Sequence, residues 1–171
     1  GEPQLTMAAA TSPPPDRGDS VRAINYAAPT TVEDAVRILR ENGDGARILA
    51  GGTDLIVQVR ENARDVDVMV DAKGIEELTR VAIGADGSLT LGAAVPCYQI
   101  AGDDAIAGAV PGLIDAAGII GGTAIQGRAS LGGNLCNSGP AADSIPALIV
   151  HGATANIAGP DGRRSMAVED F

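Results

Sequence analysis

The chain has 171 residues, 45% of them hydrophobic, and a formal net charge of −10. That size and composition predict a packed domain rather than disorder, and the acidic balance argues against nucleic-acid binding and against adsorption to an anionic membrane. No apolar run reaches the length of a membrane span, and two distant cysteines with a single histidine make no zinc or iron–sulfur site.

Aromatic residues make up only 2% of the chain and tryptophan is absent, so the core must be built from Ala, Val, Ile and Leu. Residues 1–20 read as a flexible Pro-rich tail, because Ser12-Pro13-Pro14-Pro15-Asp16 is helix-breaking and lacks apolar periodicity. No basic region followed by an apolar core marks a secretory leader, so a cytoplasmic location is the expectation.

Folding is expected to begin near Val21. Ile24–Ala27 is a short strand candidate. Thr30 or Thr31 can cap the helix that follows, with Glu33 and Asp34 in its first turn, where carboxylates suit the helix dipole. Val32, Ala35, Val36 and Leu39 recur at helical spacing, and Gly43 and Gly45 stop the run. Arg47–Ala50 reads as a buried strand that leads straight into Gly51-Gly52. Asp54 then opens a helical segment over Leu55–Arg60, as cap or first residue.

Strand, glycine turn and helix start make a sensible phosphate cradle: glycines allow close backbone approach, and the N–H groups of Gly52, Thr53 and Asp54 are free to meet an anion. Taken alone, the same segment is also an ordinary turn.

Val66–Asp71 alternates like a strand. Leu78–Ile83 and Ser88–Ala93 flank Gly84-Ala85-Asp86-Gly87 and predict a hairpin. Pro96–Ala101 and Val110–Ile120 read as helices. The second carries Pro111 in its first turn, a small face at Ala116-Ala117-Gly118, and Gly121-Gly122 at its end.

A second glycine-rich stretch runs from Ala129 to Asp143 and includes Ser130-Leu131-Gly132-Gly133-Asn134 and Pro140. It reads as a loop whose N–H groups can hold an anion. Arg128, just before it, can bond carbonyls or pair with a phosphate. Cys136 is either a buried small hydrophobe or a cofactor contact. Asp143 can cap the following apolar run or accept from a cofactor hydroxyl. His151 reads as packing or capping, with no partner acid or nucleophile near it in sequence. A last hairpin surrounds Gly159-Pro160-Asp161-Gly162. The two glycine segments are expected to grip one phosphate-bearing cofactor between them.

The order of elements, strand–helix–strand–loop and then hairpins with helices, predicts an α+β fold rather than a doubly wound alternating sheet. A soft boundary between Ala72 and Leu78 divides residues 21–171 into a first lobe of about 21–75 and a second of about 76–171. A Rossmann site is disfavoured, since no G-x-G-x-x-G lies between a first strand and helix, and a P-loop is excluded by the missing Gly-Lys-Ser/Thr.

Taken together, Ala50-Gly51-Gly52-Thr53-Asp54-Leu55, Ser130-Leu131-Gly132-Gly133-Asn134 and Pro140-Ala141-Ala142-Asp143 resemble the flavoprotein (medium) subunit of the molybdenum hydroxylases, the aerobic carbon monoxide dehydrogenase and xanthine dehydrogenase type. Asn25-Tyr26-Ala27-Ala28-Pro29 resembles that family's opening. The resemblance implies a two-lobed FAD-binding domain of the p-cresol methylhydroxylase and vanillyl-alcohol oxidase type, here without the family's C-terminal domain. Glu169-Asp170-Phe171 resembles the junction before that domain. Ala124, Gln126 and Gly127 depart from the Gln, Arg and Asn that many members carry.

By the same resemblance, FAD lies against Leu49, Ala50, Gly51, Gly52, Thr53, Asp54 and Leu55 on one side. Ser130, Leu131, Gly132, Gly133 and Asn134 line the other. Asp143 matches the acid near the ribityl chain, and Ile120 and Gly121 the wall near the adenine. The implied partners are a large molybdopterin-containing subunit and a small 2Fe-2S subunit. The implied role is to carry electrons through FAD to a quinone, NAD or oxygen, with no catalytic acid, base or nucleophile required. Two rivals are a self-contained flavin reductase, for which the chain is short, and a scaffold subunit or fragment that has lost stable flavin binding.

Overall fold

The computed structural model describes residues 23–140 and 142–171. The expected N-terminal tail lies outside the described residues. β1 (Asn25–Ala27) leads into α1 (Val32–Asn42). Thr31 caps α1, its hydroxyl accepting from the Asp34 N–H at 3.1 Å, and Val32 and Ala35 bury the inner face. On the outer face Arg37 reaches Asp34 at 3.1 Å and Glu41 at 3.4 Å, the i,i+3 and i,i+4 spacings of a solvated helix. Gly43, at φ 50°, ends it, as a residue without Cβ can.

β2 (Ala46–Leu49), α2 (Leu55–Arg60) and β3 (Val68–Asp71) follow. The three strands form one parallel sheet in the order β1-β3-β2, with Leu49 of β2 opposite Asp71 of β3. This part of the chain alternates strand and helix, as the expected strand–helix–strand order does, and hairpins with helices follow it, so the fold is α+β. Central β3 is the apolar run Val-Met-Val, and Val70 is fully buried. Burial alternates along the segment as the period-2 reading expects: Val66, Val68 and Val70 are buried, while Asp67 is exposed and Met69 half-buried.

α3 (Glu76–Thr79) was not foreseen. It precedes the predicted hairpin of β4 (Val81–Ile83) and β5 (Leu89–Leu91), which pair antiparallel. The turn is held by Asp86, whose carboxylate accepts from the Ser88 N–H at 3.0 Å and its hydroxyl at 2.7 Å. α4 (Cys97–Ala101), α5 (Asp104–Ala109) and α6 (Pro111–Ile119) come next. Asp103 caps α5, accepting from the N–H groups of Ala105 at 2.9 Å and Ile106 at 3.0 Å. In α6 the close approach is at Gly112, where a Cβ would lie 3.1 Å from His151 Nε2. Of the small face, Ala116 and Ala117 are buried, whereas at Gly118 a Cβ would meet nothing.

α7 (Thr123–Gln126) follows, and α8 (Leu131–Asn137) occupies the stretch read as loop. α9 (Ser144–Val150) and the antiparallel hairpin of β6 (Thr154–Gly159) and β7 (Gly162–Ala167) complete the fold. Arg163 of β7 pairs with Glu33 at 3.0 Å and with Glu77, fastening this hairpin to α1 and α3. Two apolar clusters result. One gathers Val32, Ala35, Ala46, Val68, Val70 and Ile75 around the parallel sheet. The other gathers Cys97, Ile100, Ile106, Leu113 and Ala117 among α4, α5 and α6. Aliphatic side chains fill both, as the scarcity of aromatics requires. Among the described residues no helix is long and apolar enough to cross a membrane.

Candidate functional site

The carboxyl ends of β2 and β3 open into a cavity of about 680 Å³. Ligands in open parallel sheets sit at that edge, because the loops leaving the strands are free to shape a site. The loop after β2 supplies Ala50, Gly51, Gly52, Thr53, Asp54 and Leu55, and Ala72 follows β3. The opposite wall is Ala129, Ser130, Gly132, Gly133, Asn134 and Asp143, with Ile120 and Ile125 beside them. The cavity thus brings together most of the residues singled out in the sequence. Leu49, Gly121 and Leu131 do not line it. Leu49 and Leu131 are buried, and Gly121, at φ 56°, packs under Ile125.

The two glycine segments touch. Gly51 is so close to the other segment that a Cβ there would fall 2.1 Å from the Arg128 carbonyl oxygen. Arg128 Nε donates to the Gly51 carbonyl at 3.0 Å, which realises the carbonyl-bonding alternative for that residue. Among the described residues the N–H groups of Gly52, Thr53 and Asp54 have no acceptor. Asp54 stands at the start of α2 but makes no capping bond with its side chain.

The second segment differs from the expectation of an open loop. Ser130 caps α8, its hydroxyl accepting from the Gly133 N–H at 3.1 Å. The Gly132 N–H donates to Ala93 O at 3.2 Å and the Asn134 N–H to Ser130 O at 2.9 Å. These amides are therefore spent on the fold, and the glycines serve close packing: a Cβ on Gly132 would meet Ala93 at 2.5 Å. Asn134 Oδ1 accepts from the Ser144 hydroxyl at 2.5 Å and its N–H at 3.3 Å, tying α8 to α9. Asp143 precedes α9 without a side-chain capping bond, leaving its exposed carboxylate at the cavity.

Sequence reasoning missed Arg47, Gln58, Arg64, Ala93 and Asn137, which also line the cavity. Gln58 Nε2 donates to Asn137 Oδ1 at 3.2 Å and so links α2 to α8. Arg47 sat in a recognised strand, and its place next to the glycine turn was the available signal. Arg64 had none, since the turn after α2 that places it rests on two N–H donations to the Gln58 carbonyl.

Behind the first loop, Asp71 is 8% exposed and holds Lys73 through Nζ at 2.6 Å and N–H at 2.9 Å, with the Tyr26 hydroxyl donating to its other oxygen. Burial alone raises the Asp71 carboxyl, but the bonds from Lys73 and Tyr26 outweigh it and hold the group below its usual range. Lys73 Nζ also donates to the Ala50 carbonyl at 3.1 Å. Cys97 is fully buried and its thiol is pushed up by burial, as for an inert core cysteine.

Fold and cavity together define an α+β domain with a cofactor-sized cavity between two glycine segments. A family model described as the FAD binding domain in molybdopterin dehydrogenase matches residues 22–171. The xanthine dehydrogenase FAD-binding subunit of Escherichia coli O157:H7 is 33% identical over 147 residues, which covers 86% of this chain and 50% of that protein. The carbon monoxide dehydrogenase medium chain of Afipia carboxidovorans is 31% identical over 151 residues, covering 87% and 51%. Among solved structures, quinoline 2-oxidoreductase from Pseudomonas putida 86 aligns with a TM-score of 0.82 at 29% identity, over 88% of this chain and 52% of that one. Reconstituted CO dehydrogenase from Oligotropha carboxidovorans aligns with a TM-score of 0.83 at 27% identity, over the same shares. The chain belongs to the family of FAD binding domains of molybdopterin dehydrogenases, and it spans about half the length of the relatives it matches.

The cavity fits FAD as this family's cofactor. Its volume lies in the range of small-molecule and cofactor sites. The N–H groups of the Gly51-Gly52 turn suit a pyrophosphate, and Ile48, Leu78, Ile120 and Ile125 give apolar wall for a ring system. One consequence concerns Ser130. Ser130→Ala removes the cap of α8 and should lower stability by about 1 kcal/mol, read as a lower urea midpoint with an unchanged slope. An unchanged midpoint would show that the cap is idle.

Proposed function

We propose that this chain holds FAD as the flavin station of a molybdenum hydroxylase-type oxidoreductase. Electrons from the iron–sulfur clusters of a small 2Fe-2S subunit pass through the flavin to an external acceptor, a quinone, NAD or oxygen. A large molybdopterin-containing subunit completes the complex and oxidises the substrate. When bound, FAD supplies the two-electron redox chemistry, and the protein supplies binding, orientation and electrostatics. The observation that carries this reading is the cavity bounded jointly by the two glycine segments.

In this reading the Gly51-Gly52 turn, with Thr53 and Asp54, receives the pyrophosphate through backbone N–H groups. Ser130, Gly132, Gly133 and Asn134 form the facing wall through shape and side chains. Asp143 offers an acceptor to a hydroxyl of the ribityl chain. Leu49 and Leu131 support the wall from beneath, and Ile120, with Gly121 behind it, bounds the adenine end. Residues of about 21–75 and 76–171 act as the two lobes. The relatives' names support the assignment to a multisubunit complex, one being an FAD-binding subunit and another a medium chain.

The test is the visible absorbance of the purified chain after incubation with FAD and gel filtration. Flavin bands that travel with the protein are expected, together with a rise in melting temperature that grows with FAD concentration. A folded chain that returns colourless and shows no rise would overturn the reading. Co-purification of the small and large subunits tests the assembly separately.

A further inference from the structure

The two cations behind the first glycine loop each hold one carbonyl of consecutive residues. Lys73 Nζ donates to Ala50 O at 3.1 Å, and Arg128 Nε donates to Gly51 O at 3.0 Å. Neither side chain lines the cavity, whereas Ala50, Gly51 and Gly52 all do. The described peptides are all trans. In a trans peptide the C=O and the N–H of the next residue point in opposite directions. Fixing Ala50 O toward Lys73 therefore turns the Gly51 N–H away from Lys73. Fixing Gly51 O toward Arg128 turns the Gly52 N–H away from Arg128. Among the described residues neither N–H has an acceptor.

Resting on the FAD reading above, we propose that Lys73 and Arg128 are positioning residues for the pyrophosphate. They pin two loop carbonyls on the far side of the loop and so present the Gly51 and Gly52 N–H groups to the anion. Two features make the device stiff. Lys73 is itself held twice by the buried Asp71, which Tyr26 braces. Gly51 is wedged against the Arg128 backbone. Without the pins, the peptide planes before Gly51 and Gly52 lose the bonds that set their direction, and Gly52, at φ 75°, is free of the Cβ that would resist the change. A flipped plane would aim a carbonyl oxygen at the phosphate.

The experiment uses the full chain, ¹⁵N-labelled, as wild type and as Lys73→Met, Lys73→Arg, Arg128→Met and Arg128→Lys. FAD dissociation constants are read from flavin fluorescence, and amide shifts of Gly51 and Gly52 from two-dimensional NMR. Loss of either charge-assisted bond should weaken FAD about tenfold. The ligand-free melting temperature changes little in the Arg128 variants, whose side chain is exposed, and falls in Lys73→Met, which leaves the buried Asp71 carboxylate without its cation, so affinities are compared at a temperature where every variant is folded. In wild type the Gly51 and Gly52 amides shift on FAD addition. In each Met variant the shift of the amide that follows the freed carbonyl collapses, while other cavity amides still respond. Lys73→Arg restores both signals in part.

Unchanged FAD affinity in both Met variants overturns the inference. So does wild-type binding of FAD that leaves the Gly51 and Gly52 amides unmoved, and in that case the FAD reading stands. A wild-type chain that binds no FAD overturns both.

Discussion

Gly51→Ala should unfold more easily than wild type and fail to retain FAD. The ideal Cβ at this position lies 2.1 Å from the Arg128 carbonyl oxygen, 2.6 Å from its carbonyl carbon and 3.0 Å from Ala129 Cα. All three are backbone atoms, so no rotamer change relieves the clash. The two segments must move apart, and the Arg128–Gly51 bond goes with them. Overpacking of this kind costs roughly 3 kcal/mol, at the upper end for a single methyl, because the obstacle is backbone. For a chain of this length that is a fall in melting temperature of roughly 6–12 °C. Gly92→Ala is the control. Its Cβ would sit 2.3 Å from the Leu78 carbonyl carbon and oxygen, also a backbone clash, but Gly92 does not line the cavity. Both variants should lose stability to a similar degree, and at a temperature where both are folded Gly51→Ala should have lost FAD while Gly92→Ala, which disturbs only the Leu78 part of the apolar wall, retains most of it. Equal retention by the two would mean that the contact between the glycine segments is a matter of folding alone.

That contact was partly legible in the sequence. Strand, Gly51-Gly52 and the helix from Leu55 follow from local chemistry, and the Thr31 cap and both hairpins do as well. What joins the first segment to the second is long-range, and no local pattern encodes it. The same limit explains α8. Leu131–Asn137 contains Gly132 and Gly133, two residues of poor helix propensity, so a loop was the sound local reading. The helix forms because Ser130 caps it locally, and because Pro96 and Ser130 bridge and the Cys97 N–H donates to Ala129 O at 2.7 Å, the last two of which need α4 in place. The parallel pairing of β1, β3 and β2 is a similar case: three short strands with helices between them allow it, but only the buried register of Val68 and Val70 in the central strand selects it. Lys73 escaped notice because a lysine after a strand looks like ordinary surface. Its meaning lies in reaching back across the sheet to Ala50.

Asn134 carries two loads at once, and two substitutions should separate them. Ser144 has no exposed surface, and its hydroxyl and N–H both donate to Asn134 Oδ1. Asn134→Leu fills similar volume but leaves that buried hydroxyl without an acceptor, at a cost of about 1–3 kcal/mol. The packing of α8 on α9 should loosen, and FAD retention should fall only as far as the fold does. Asn134→Asp keeps an oxygen for Ser144 and adds a negative charge to a wall of the cavity that already has the Asp143 carboxylate beside it. Stability should change little above the range where carboxylates titrate, while affinity for the anionic cofactor drops. The drop should shrink as salt is raised, because the new term is Coulombic. It should shrink again as the pH falls and the added carboxyl takes up a proton. The opposite pattern, in which Asn134→Asp binds FAD as wild type does, would leave Asn134 as a strut between α8 and α9 and nothing more. If it loses stability as Asn134→Leu does, the Asn134 amide nitrogen, and not its oxygen alone, holds the two helices together.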